Sequence, residues 1–98
     1  MGACDFHVTA KGKTAREAFN AARDHALYES GHGGYSGTIA EKHGFVMITP
    51  PEGPILERFI MQLIEDQDER INDKWGPAGC IKDPVQEQTW HFFGMASS

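Results

Sequence analysis

The chain has 98 residues and a mass of 10.9 kDa, which is enough for one compact domain over residues 1–98 and too little for two. No apolar run approaches the roughly 18 residues that cross a bilayer, and no signal-peptide pattern is present, so we expect a cytoplasmic protein with no membrane contact. Nine Lys and Arg against fourteen Asp and Glu give a net charge of −5, which makes nucleic acid an unlikely partner.

The first segment alternates and is followed by a helix signal. Residues 4–11 place apolar side chains on one face and polar ones on the other, which predicts a strand. Thr14 and Glu17 form a capping box, and alanines with Phe19 then recur at helical spacing until Gly31. The pattern predicts a first helix between Thr14 and Gly31.

A glycine-rich loop and a hairpin are predicted next. Residues 31–37 contain four glycines, which suit a turn. Thr38–Glu41 and Phe45–Thr49 have the pattern of two short strands joined by a turn at residues 42–44.

The second half predicts one more helix and one more strand. Pro54 suits a helix start, and apolar positions from Leu56 to Ile71 line one side of a helix that Gly76 ends. A loop containing Cys80 and Pro84 then leads to a last strand, Gln88 to Met95.

The predicted order is β-α-β-β-α-β. This order is typical of an α+β ferredoxin-like fold, with a four-stranded antiparallel sheet and both helices on one face. The first strand is then central, and Cys4 and Cys80 lie too far apart for a disulfide.

The glycine-rich loop leaves a helix and enters a strand, so it is not a phosphate-binding P-loop. Two interpretations stay open. The glycines make a tight connection, or the loop supplies ligand contacts from His32, Tyr35, Ser36 and Thr38.

The first helix carries a second candidate site. His25 and Glu29 lie one turn apart, with His32 just beyond the helix end. These three residues could ligate a metal or form an acid/base group, although their spacing matches no established zinc signature. The alternative is a simple hydrogen-bonded pair at the end of the helix.

The open face of the predicted sheet has polar and aromatic residues. His7 lies there beside Asp5 and Thr9, and the last strand adds either His91 and Phe93 or Trp90 and Phe92. A sheet that is apolar on both faces needs cover on both, so we predict that a second copy of the chain covers this face rather than solvent.

Two segments, Thr14–Phe19 and Gly31–Lys42, resemble small uncharacterised proteins encoded by bacteriophages and bacteria. The likeness covers roughly the first half of the chain and brings no established activity. It implies a phage accessory role, such as binding a host factor or sequestering a nucleotide signal.

We therefore predict a non-enzymatic binding module, homo-oligomeric and without a cofactor, that binds a small anionic, nucleotide-like ligand or a host protein. The candidate ligand-binding residues are His25, Glu29, His32, Tyr35, Thr38 and Lys42. Because a strand separates His32 from Lys42, an oligomer interface would have to bring them together. The alternatives are a small metal-dependent or acid/base enzyme using His25, Glu29 and His32, and a purely structural or protein-interaction domain.

Overall fold

The computed structural model describes residues 3–30, 37–50, 52 and 55–97, and within these residues four strands form one sheet. The strands are β1 (Ala3–Lys11), β2 (Phe45–Met47), β3 (Ala78–Lys82) and β4 (Thr89–Ser97). The helices are α1 (Ala15–Ser30) and α2 (Leu56–Glu65), and a short 3₁₀ turn spans Ile39–Glu41. No helix of the described residues is long and apolar enough to cross a membrane.

The start of α1 confirms the predicted capping box. The Glu17 backbone N–H donates to Thr14 Oγ1 at 3.2 Å, and the Glu17 carboxylate accepts from the Lys13 backbone N–H at 3.0 Å. The first bond satisfies a backbone donor that the first helical turn would leave without a partner, and the second binds the carboxylate to the residue before the N-cap. Ala18, Phe19 and Ala22 are then buried at helical spacing and hold the helix on the sheet.

The sheet order is β1-β4-β3-β2, which differs from the predicted ferredoxin-like order. β4 pairs antiparallel with β1 and with β3, whereas β2 and β3 are parallel and joined through α2. The prediction of an all-antiparallel sheet with a central first strand is wrong, because β1 lies at an edge. The coarser prediction of an α+β fold with a four-stranded sheet and two helices is confirmed.

Two local predictions account for this difference. Thr38–Glu41 was predicted as a strand, but the Thr38 side chain accepts from the Ala40 backbone N–H at 3.2 Å and caps the 3₁₀ turn instead. Residues 78–82 were predicted as a loop but form β3, which is buried at four of its five positions. The second and third strands are therefore Phe45–Met47 and Ala78–Lys82, where the sequence predicted Thr38–Glu41 and Phe45–Thr49.

The second helix is shorter than its hydrophobic pattern predicts. It ends at Glu65, and Gln67 adopts a positive φ of 55°, a conformation that ends an α-helix. Ile71 lies beyond the helix, where it is buried and accepts a hydrogen bond from the Met95 backbone N–H at 3.2 Å. Ile71 is apolar because the segment after α2 packs it into the same core as Ile60, and not because the helix continues.

The two helices lie on opposite faces of the sheet, which corrects the predicted arrangement on one face. Successive residues of a strand point to opposite faces. Phe92 belongs to the core beneath α1 with Phe19, whereas Phe93 belongs to the core beneath α2 with Ile60. Since α2 covers the second face, the argument that a second copy must cover it no longer holds, and the homo-oligomer remains a prediction without that support.

The cysteines are unbridged, as predicted. Cys4 is exposed at the start of β1, and Cys80 is buried in β3 rather than in a loop. Burial raises the pKa of the Cys80 thiol to about 12, so this side chain behaves as a small apolar core residue.

Candidate functional site

His25 and Glu29 form the predicted helical pair on α1. His25 Nε2 lies 3.1 Å from Glu29 Oε1, and the two side chains are 73% and 63% exposed. His32 and Tyr35 lie outside the described residues, so the proposed three-residue group and the stacking role of Tyr35 stay predictions. The described part of the site is an exposed surface pair.

Lys42 occupies a different environment from the one predicted for it. Its side chain is fully buried, and Nζ donates to the carbonyl oxygens of Gly76, Asp73 and Lys74 at 2.9, 3.2 and 3.4 Å. Burial lowers the pKa of the ammonium group, and the nearby Asp73 carboxylate partly opposes this. Lys42 therefore holds the turn before β3 against the core, and its ammonium group is directed at these carbonyl groups rather than at the surface.

The residues with the most distinctive chemistry lie elsewhere, along β1 and its partner β4 on the α2 side of the sheet. We call this surface the β1 strip. It consists of side chains that point to the α2 side from the paired strands β1 and β4, namely Asp5, His7, Thr9, His91, Phe93 and Met95. Of the two registers that the sequence left open, the structure thus places His91 and Phe93 on this face.

Asp83 fixes the orientation of His91. The Asp83 carboxylate accepts from the backbone N–H groups of Val85 and Gln86 at 2.9 and 2.7 Å, and its Oδ2 lies 2.8 Å from His91 Nε2. The bonds from Gln86, His91 and Val85 lower the pKa of Asp83 to about 2. An ionised carboxylate only accepts, so Nε2 of His91 carries a proton and Nδ1 of the neutral ring carries the lone pair.

That lone pair faces two further polar groups of the β1 strip. His91 Nδ1 lies 3.1 Å from Thr9 Oγ1 and 3.4 Å from His7 Nε2. The two imidazole rings are tilted with centroids 5.5 Å apart, and the His7 ring packs edge-on against Phe93. Partial burial lowers the pKa of His7, His91 lowers it further, and Glu57 opposes both.

A cavity of about 300 Å³ lies beside the β1 strip at the C-terminal end of α2. It is lined by Asp5 and Met95 from the sheet, Ile64 from α2, and Gln67 and Asn72 from the loop beyond it. One carboxylate and two carboxamides thus surround two apolar side chains. None of these lining residues is basic, so the cavity offers one carboxylate that accepts, two carboxamides that both donate and accept, and an apolar surface.

Sequence reasoning located part of this surface and missed the rest. His7, Asp5 and Thr9 were placed together on one face because a strand alternates. Asp83 and the cavity were missed, because Asp83 reaches His91 only through the turn before β4. An aspartate before a proline is a turn signal, which could have directed attention to Asp83.

No group of three or more His, Cys, Asp or Glu side chains arranged to hold a metal ion occurs among residues 3–30, 37–50, 52 and 55–97. The predicted set of His25, Glu29 and His32 includes a residue outside these ranges. Comparisons with protein-family models, with curated proteins and with solved structures found no match for this chain.

Proposed function

We propose that the protein is a non-enzymatic binding module whose ligand occupies the cavity between β1 and the end of α2. The proposal rests on the residues that line the cavity. The Asp5 carboxylate and the Gln67 and Asn72 carboxamides surround Ile64 and Met95. A small site of this kind orients a ligand with a few polar groups and holds it with apolar contact.

The lining favours a small, flat molecule with N–H donors, such as the base of a nucleoside or another heterocyclic amine. The Asp5 carboxylate can accept from an amino or ring N–H group, and Met95 and Ile64 can contact the ring. The net charge of −5 opposes a phosphate group in the cavity, and no lining residue in the described part of the chain is basic. The proposed ligand is therefore uncharged or cationic, such as a nucleoside base, in place of the small anionic ligand that the sequence predicted.

The resemblance to small phage and bacterial proteins supports an accessory role for such a module, such as sequestering a nucleotide-like signal in the cytoplasm. The enzyme alternative has less support, because the His25 and Glu29 side chains are exposed and lie on the outer surface of α1.

A thermal-shift screen tests the proposal. The panel contains the common nucleosides, their 5′-monophosphates, and arginine as a flexible cation. We expect at least one nucleoside to stabilise the protein, by about 2.7 kcal/mol at a hundred times its dissociation constant, and its monophosphate to stabilise it less.

Asp5→Asn should abolish this shift, because Asp5 carries the only charged group among the described residues that line the cavity. The matched control is Asp24→Asn, at an exposed position on α1. A panel without any stabilising nucleoside, or an equal shift for wild type and Asp5→Asn, would exclude the proposed site and favour a structural or protein-interaction role.

A further inference from the structure

We propose that His7 and His91 bind one divalent transition-metal ion of the Zn²⁺ type on the β1 strip, through His7 Nε2 and His91 Nδ1. This site is separate from the cavity, and the inference does not depend on the cavity's ligand. It is also distinct from the predicted group of His25, Glu29 and His32 on α1.

The separation of the two ring nitrogens fits a shared metal ion. Zn²⁺ binds imidazole nitrogen at about 2.0–2.1 Å with tetrahedral angles, which places two ligating nitrogens about 3.3–3.4 Å apart. His7 Nε2 and His91 Nδ1 are 3.4 Å apart. The contact is long for a direct hydrogen bond between two ring nitrogens, and its length matches that of two nitrogens on one tetrahedral ion.

His91 also has the support that metal-binding histidines need. In protein metal sites, the second ring nitrogen of a histidine ligand is usually bound to a carboxylate or a carbonyl, which fixes the tautomer and the ring orientation. Asp83 holds His91 Nε2 at 2.8 Å, and two backbone N–H groups in turn hold Asp83. This arrangement directs the lone pair of Nδ1 towards His7.

The remaining coordination positions are filled by oxygen. Thr9 Oγ1 lies 3.1 Å from His91 Nδ1, within the distance of neighbouring ligands on one ion. No third His, Cys, Asp or Glu side chain joins the pair among the described residues, so water completes the coordination. Imidazole ligands with water suit Zn²⁺, Ni²⁺ and Cu²⁺ rather than Mg²⁺, which prefers oxygen alone.

Calorimetric titration of the metal-free protein with ZnCl₂ tests this inference, with MgCl₂ as the control ion. We expect one Zn²⁺ per chain and no heat of binding for Mg²⁺. His7→Gln and His91→Ala should each abolish Zn²⁺ binding, and Asp83→Asn should weaken it about 10-fold to 100-fold, because Asp83 only orients His91. His43→Ala, at an exposed position, is the matched control and should bind as wild type does.

Nitrogen NMR of the histidine rings gives a second readout that does not require a variant to fold. Zn²⁺ should shift Nε2 of His7 and Nδ1 of His91, and leave the ring of His43 unchanged. Unchanged binding in His7→Gln, loss of binding in His43→Ala, or ring shifts confined to other histidines would each overturn the assignment. The nucleoside screen tests the cavity and not the histidine pair, so a failed screen would not change the expected Zn²⁺ binding.

Discussion

Lys42 places a positive charge where the chain folds back between α2 and β3. Removing an ammonium group from water is costly unless acceptors replace the water. Three carbonyl oxygens do so here, from Asp73, Lys74 and Gly76, and the Phe6 ring lies 6.0 Å from Nζ. The side chain therefore links the 3₁₀ turn to the segment before β3.

We expect Lys42→Met to lower the free energy of unfolding by about 1–3 kcal/mol, because it leaves buried carbonyl groups without their charged donor. Urea denaturation followed by circular dichroism measures the change. Lys11→Met, at an exposed position, should change the stability by less than about 0.5 kcal/mol. Equal stability of Lys42→Met and wild type would show that the buried bonds contribute nothing net.

Single residues were predictable where their partners are close in sequence. The contact of His25 with Glu29 follows from helical spacing, and the bond of Glu17 to Thr14 follows from the capping box. The role of Lys42 depends on carbonyl groups 31 to 34 residues away, and no local pattern indicates them.

Among the elements, β3 is the strand that the sequence pattern does not predict. Its residues Ala78, Gly79 and Cys80 are small and follow Pro77, a composition that resembles a loop more than a strand. Close packing requires a small residue at position 79 of this strand. A Cβ atom on Gly79 would lie 2.7 Å from a ring carbon of Phe93 and 2.9 Å from the Ile71 side chain.

Gly79→Ala should therefore destabilise the protein by about 1–3 kcal/mol, because the new methyl group displaces the Phe93 ring and strains the core beneath α2. Gly44→Ala is the matched control, since nothing lies within 4 Å of its added Cβ atom. Thermal melting of both variants measures the difference. If both variants melted at the same temperature, the close contact between Gly79 and Phe93 would not exist in solution.

At the scale of the whole molecule, the sheet has one helix on each face. The sequence correctly indicated that β4 is apolar on both sides, through Phe92 and Phe93. It did not indicate that α2 covers the second side. That position is set by the crossover between the parallel strands β2 and β3, and the parallel pairing arises from contacts distant in sequence.

Both cores should contribute to stability within a single chain. Ile39→Val probes the core beneath α1 and Ile60→Val the core beneath α2, and each should cost about 0.5–1.5 kcal/mol. Ile55→Val, at a position that is 67% exposed, is the control and should be neutral. The Ile60→Val loss should be the same at low and high protein concentration. A loss that grows with concentration would restore the homo-oligomer as the cover of that face.

The pairing of β1 with β4 determines when the sheet can be completed during synthesis. Ala3 lies opposite Ser97, and β4 is the one strand that pairs with β1 among the described residues. Nearly all of residues 3–97 must therefore leave the ribosome before β1 can pair with β4. Until then the apolar side chains of β1 remain accessible to chaperones. The sheet is therefore completed only after β4 has been synthesised, so a chain that stalled or terminated before Thr89 would leave its first strand unpaired.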